Sequence, residues 1–194
     1  MNKRIISLIL IVILCCLTVA VAFSCVEENR GGTVNIEMKL ENGTVRLRLY
    51  PEYAPETVAN FVSLVNAKFY DGLIFHRVVR DFMVQGGCPQ GTGMGNAGYT
   101  INGEFALNGF TQNTIMHTRG VISMARGGHD YNSASSQFFI VHKTSDSNHR
   151  SLDGQYAGFG IVTSGMEFID EIAETFTTGD SPLYKYKIIS IRVV

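Results

Sequence analysis

The chain has 194 residues, 45% of them hydrophobic and 17% charged, with a formal net charge of −1. That length suits one domain with a core of its own, and the composition excludes overall disorder. A near-neutral balance with no clustered basic face excludes nucleic acid as a partner.

Lys3 and Arg4 precede a 19-residue uncharged run, Ile5 to Phe23. Residues 1–24 therefore read as a signal peptide or an N-terminal membrane anchor, to be set apart from the fold. The run ends in Val21-Ala22-Phe23-Ser24-Cys25, which resembles the lipobox of prokaryotic lipoproteins. That resemblance implies lipidation of Cys25, although Ala22 stands where the motif prefers Leu. Ala20-Val21-Ala22 offers an ordinary signal cleavage site instead. Either route, or retention of the run as an anchor, places the protein on the extracytoplasmic side, with the membrane engaged through the N-terminus. Residues 25–32 read as a tether. Of four cysteines, Cys15 and Cys16 lie in the leading run. The remaining pair, Cys25 and Cys88, is too few for a disulfide framework, and Cys88 reads as a small packed hydrophobe.

Residues 33–194 form the folded domain. Val34, Ile36, Met38 and Leu40 alternate, as do Val45, Leu47 and Leu49, so two antiparallel strands are expected around an Asn42-Gly43 turn. Asn42-Gly43-Thr44 also fits a glycosylation sequon, but the turn suffices to explain it. Val58, Phe61, Val62 and Val65 then follow helical spacing, with Pro55 suited to the first turn, predicting a helix over Pro55–Ala67. Strands are expected at Leu73–Val79, Phe82–Gln85, Gly120–Ala125, Gln137–His142, Phe159–Val162 and Tyr186–Val194, with a second helix at Met166–Glu174. Many short strands and two helices point to a mainly β fold, a closed or nearly closed antiparallel sheet with its ends covered by helices.

Gly91, Gly93, Gly95 and Gly98 are not followed by a helix start, so a dinucleotide fingerprint is excluded and a loop is expected. The five histidines, His76, His117, His129, His142 and His149, show no metal-ligand spacing, and no nucleophile motif is present. The informative stretch is Phe75 to Gly87, FHRVVRDFMVQGG. As a strand it puts Phe75, Arg77 and Val79 on one face, an arginine among apolar neighbours. Such an arginine either packs its stem at a rim or aims hydrogen-bond donors into an apolar groove.

FHRVVRDFMVQGG, SMARGG followed by SASSQFFI, and LDGQYAGFG together closely resemble the cyclophilins, as do APETVANFVSLV and the opening strands. The resemblance covers about residues 33–194. It implies a closed eight-stranded antiparallel barrel capped by two α-helices, and peptidyl-prolyl cis-trans isomerase activity on proline-containing segments of unfolded or folding proteins. It implies a monomer with no metal and no cofactor. Arg77, Phe82 and Gln85 would be the catalytic residues, Arg77 being the catalytic arginine. Met83, Ala125, Arg126, Gln137, Phe139, Leu152 and Tyr156 would contact substrate, with Phe82, Met83, Phe139 and Leu152 forming the proline pocket. Without the resemblance, those four apolar residues read as ordinary core. Ser151 stands where eukaryotic cyclophilins carry a tryptophan, Tyr156 where they carry a histidine, and Arg126 replaces a common asparagine. The alternative is a non-catalytic chaperone module that grips proline segments; Arg77 favours the enzyme, since binding alone does not require it.

Overall fold

The computed structural model describes residues 32–144 and 151–194. The leading segment of residues 1–24, Cys25 with most of the tether, and His149 lie outside the described residues.

The opening hairpin consists of β1 (Val34–Leu40) and β2 (Gly43–Leu49), paired from Val34 opposite Leu49 to Leu40 opposite Gly43. Its two-residue turn is therefore Glu41-Asn42, one position earlier than the Asn-Gly pattern suggests. Gly43 instead packs against the ring of Phe168, which a Cβ there would have to displace. Helix α1 (Pro55–Asn66) carries Pro55 in its first turn and buries Val58, Phe61, Leu64 and Val65. Its N-terminal donors are satisfied from afar. The buried carboxylate of Glu104 accepts the N–H groups of Glu56 at 2.9 Å and Thr57 at 2.7 Å, a negative charge placed where the helix dipole favours it.

Then come β3 (Arg77–Val79), β4 (Met83–Gly86), a short 3₁₀ turn at Ala106–Asn108, β5 (Val121–Met124), β6 (Phe138–Val141) and β7 (Gly158–Ser164). Helix α2 (Met166–Ala173), a miniature hairpin of β8 (Thr177–Thr178) and β9 (Ser181–Pro182), and β10 (Ile188–Val193) complete the chain. The eight longer strands make one antiparallel sheet in the order β10-β1-β2-β7-β5-β6-β4-β3. The sheet curls, but its edges do not join in a continuous ladder, so the expected closed barrel is an open one. Across the seam, Ile74 bridges Lys187, and backbone bonds run from Phe75 N to Tyr186 O (3.1 Å) and from Ile188 N to Leu73 O (2.8 Å). The continuous strand expected at Leu73–Val79 is interrupted for the same reason: its first half pairs across the seam and only Arg77–Val79 pairs with β4.

Alternation along the central strands divides the apolar side chains between two cores. Val84, Phe138, Ile140 and Ile122 join the main core with both helices, while Met83, Phe139, Val141 and Val121 join a second cluster on the opposite face. This is why the strands read as unbroken apolar runs. Among the described residues, no helix is long and apolar enough to cross a membrane.

Candidate functional site

The second cluster is open at the top. A groove of about 500 Å³ lies over it, floored by Met83, Phe139 and Leu152 and flanked by Phe82, Ala125, Arg126 and Tyr156. Arg77 and Gln85 form its polar side. The strand β3–β4 register sets Arg77 opposite Gln85 and Val79 opposite Met83. Phe75 does not share a face with Arg77 as alternation predicts; it is fully buried in the main core, because the chain bends between the seam and β3. The structure thus brings Arg77, Phe82, Met83, Gln85, Ala125, Arg126, Phe139, Leu152 and Tyr156 around one groove. Gln137 stands behind Gln85 and lines an adjoining depression.

A hydrogen-bonded row holds the polar side. Arg77 Nη1 donates to Gln85 Oε1 (3.3 Å), and Gln85 Nε2 donates to Gln137 Oε1 (2.9 Å). Gln137 Nε2 in turn donates to the carbonyls of Gly93 and Gly95, each at 2.8 Å. The glycine-rich loop is therefore a wall of the site. His76, next to Arg77, is buried beside Gln137. Burial, and then the Arg77 charge, hold its pKa below the ordinary imidazole value of 6.5.

Three features of the site were not legible in the sequence. The Arg126 guanidinium sits 4.4 Å from the ring centre of Tyr156, 4.9 Å from Tyr131 and 5.3 Å from Phe105. Its Nε donates to the Gln155 carbonyl at 3.1 Å. The side chain thus clamps the segment carrying Tyr156, a role beyond the main-chain contact expected of it.

Below the groove, His117 stacks on Phe139 with ring centres 6.0 Å apart. Its Nδ1 lies 2.9 Å from Asp153 Oδ1 and its Nε2 2.9 Å from Ser123 Oγ. The atoms follow the order of a nucleophile relay. Ser123 and His117 are buried beneath Phe139, so the row orients that ring rather than meeting a substrate.

Cys88 is buried as expected, yet its sulfur is a polar partner, accepting the N–H groups of Gly93 (3.2 Å) and Gly95 (3.3 Å). Burial pushes the thiol pKa up, and backbone donors from Gly95, Thr92, Gln90 and Gly93 bring it net below its ordinary value. Among the described residues, no group of three or more His, Cys, Asp or Glu side chains is arranged to hold a metal ion.

Residues 33–193 match the family described as "Cyclophilin type peptidyl-prolyl cis-trans isomerase/CLD". The chain belongs to this family. It is 49% identical over 142 residues to peptidyl-prolyl cis-trans isomerase B of Bacillus subtilis, covering 73% of this chain and 89% of that protein. A Synechococcus elongatus peptidyl-prolyl cis-trans isomerase is 41% identical over 157 residues, covering 81% and 94% respectively. Among solved structures, a Cryptosporidium parvum cyclophilin type isomerase determined in the presence of the dipeptide Ala-Pro superposes with a TM-score of 0.72. It is 25% identical, and the match covers 82% of this chain and 98% of that one. Membership makes this cyclophilin a peptidyl-prolyl cis-trans isomerase.

Proposed function

We propose that this cyclophilin accelerates X-Pro rotation in proteins outside the cytoplasm, and so assists their folding, with Arg77 as the catalytic group. The observation that carries the proposal is a guanidinium at the edge of a groove with an apolar floor of Met83, Phe139 and Leu152. Rotation about an amide costs about 18–20 kcal/mol because resonance is lost at the twisted state. Uncatalysed X-Pro exchange therefore takes roughly tens to hundreds of seconds. No bond is made or broken, so catalysis consists in favouring the twisted geometry.

In that geometry the proline nitrogen regains a lone pair that a planar amide does not offer. Arg77 donates to it, a hydrogen bond available only near the transition state. The apolar floor holds the pyrrolidine ring. Gln85 and the Ala125-Arg126 backbone hold the flanking peptide, and Tyr156 closes the far side.

The charged start, the uncharged run and Cys25 support a lipid anchor. One acyl chain binds membranes only marginally, so stable anchoring through Cys25 would need two or more. Intact mass of the protein from native membranes tests the anchor: loss of residues 1–24 with added acyl mass is expected. A mass retaining those residues, or a Cys25–Cys88 disulfide, overturns it. For the activity, exchange spectroscopy on a proline peptide is expected to show catalysis by the wild type, and its absence in a folded protein overturns the reading.

A further inference from the structure

The miniature hairpin β8–β9 enters neither core of the sheet, yet its turn reaches the groove. Thr178 pairs with Ser181 around a Gly179-Asp180 turn, and Gly179 has φ +58°, the conformation that favours glycine at the first position of a type II′ turn. The Asp180 carbonyl accepts the N–H of Val78 at 2.8 Å. Strand β3 is the edge of the large sheet, so this bond covers one of its outward amides and fixes the hairpin against β3. With the backbone held there, the Asp180 carboxylate accepts Arg77 Nε at 3.0 Å, while Gln85 occupies Nη1 from the other side. Asp180 and Ser181 are groove-lining residues.

Taking Arg77 as the catalytic group, we propose that Asp180 is its positioning residue, orienting the guanidinium so that its outer donors face the proline nitrogen. A free arginine side chain samples many rotamers, and ordering it costs the reaction when it must be done in the transition state. Two fixed points, Nε on Asp180 and Nη1 on Gln85, define the guanidinium plane before substrate arrives. Fold stability is not the reason for the pair. Both side chains are about half exposed, 43% for Arg77 and 53% for Asp180, and an ion pair of that kind adds little to stability. The backbone bond to Val78 does not depend on the side chain, so Asp180→Asn retains the hairpin.

The test compares the full-length wild type with Asp180→Asn, Arg77→Ala and the double variant. Isomerisation is followed by exchange spectroscopy on a proline peptide, affinity by titration, and the Arg77 Nε–H by its ¹H–¹⁵N resonance. Asp180→Asn is expected to lower kcat/KM by about three- to tenfold. Peptide affinity should stay within about twofold, the Nε–H should shift and exchange faster with solvent, and Tm should be unchanged. In the Arg77→Ala background, Asp180→Asn should have no further effect, since it acts through that arginine. Wild-type or faster turnover in Asp180→Asn overturns the proposal, as does an equal loss in both backgrounds. If Arg77→Ala itself keeps the wild-type rate, the catalytic reading of Arg77 fails first and takes this one with it. A slow Arg77→Ala beside a wild-type Asp180→Asn removes Asp180 alone.

Discussion

On the proposed reading, each residue of the groove either holds the proline segment or favours its twisted form. Substitutions at the floor should separate these roles from those on the polar side. Phe139 is 4% exposed, packed on His117 below and Tyr156 beside it. Phe139→Ala opens a cavity and removes the ring contact, so it should cost about 3–5 kcal/mol of stability. It should also weaken peptide binding and turnover together, because ground and transition states use the same surface. Denaturant unfolding and titration check both halves; a loss of turnover with unchanged affinity contradicts the assignment. Arg126→Lys keeps the charge but loses the plane that lies against Tyr156, Tyr131 and Phe105. KM is expected to rise several-fold with kcat little changed, as measured by steady-state kinetics. The sequence alone marked Arg126 only through its backbone. Its side-chain role depends on Phe105, Tyr131 and Tyr156, which lie up to 30 residues away and which no local pattern connects.

At the scale of elements, most of the longer strands and both helices follow from patterns within single segments. Alternation found β1 and β2, and the helical stripe with Pro55 found α1. What the patterns missed depends on tertiary contacts. The turn stands at Glu41-Asn42, where Asn42 Nδ2 donates to the Phe168 carbonyl at 3.1 Å, and Gly43 lies where the Phe168 ring of α2 presses on β2. Gly43→Ala should therefore destabilise by about 1–3 kcal/mol through overpacking. Combining it with Phe168→Ala should cost less than the sum of the two single changes. Thermal unfolding of the four proteins measures the coupling, and strict additivity contradicts the contact. Helix α1 has no side-chain cap in its own sequence and takes one from Glu104, 47 residues after Thr57. Glu104→Gln replaces one acceptor oxygen with a donor facing another donor. A loss of about 1–3 kcal/mol is expected by denaturant titration. The β8–β9 hairpin left no signal in the sequence, since two strands of two residues have no period to detect.

For the whole molecule, two sets of ionisable groups define the response to acid. Burial before any charge lowers the pKa of both His76 and His142. Their neutral forms contribute stability that is complete above the unfolded value of 6.5 and is lost as pH falls from there through the folded values. Asp71, hydrogen-bonded to Arg192, and Asp170, hydrogen-bonded to Arg119, have pKa values below the ordinary 3.8. They contribute stability above 3.8 that is lost as pH falls further. Stability should thus decline in two stages on acidification, and His76→Gln should diminish the first. Denaturant midpoints across about pH 2 to 8 measure both stages; a flat profile over the imidazole range contradicts the buried neutral state. The overall architecture was legible because apolar periodicity and three separated motifs agree. The open seam was not, because its bridging bonds near Ile74 and Lys187 leave no trace in the periodicity of either segment.

The proposed mechanism rests on the guanidinium of Arg77, so its removal is the most direct measurement. Wild type and Arg77→Ala, both verified as folded by circular dichroism, are compared by exchange spectroscopy on one proline peptide, with affinity measured separately. A preorganised donor in a water-poor site is worth about 2.7–4 kcal/mol, and about 1.5–3 kcal/mol when it is a more exposed charged hydrogen bond. kcat/KM is therefore expected to fall by roughly 10²-fold, with peptide affinity changing far less. Arg77→Lys should recover only part of the loss, since an ammonium lacks the planar fork. A folded Arg77→Ala protein that isomerises the peptide at the wild-type rate would contradict the assignment.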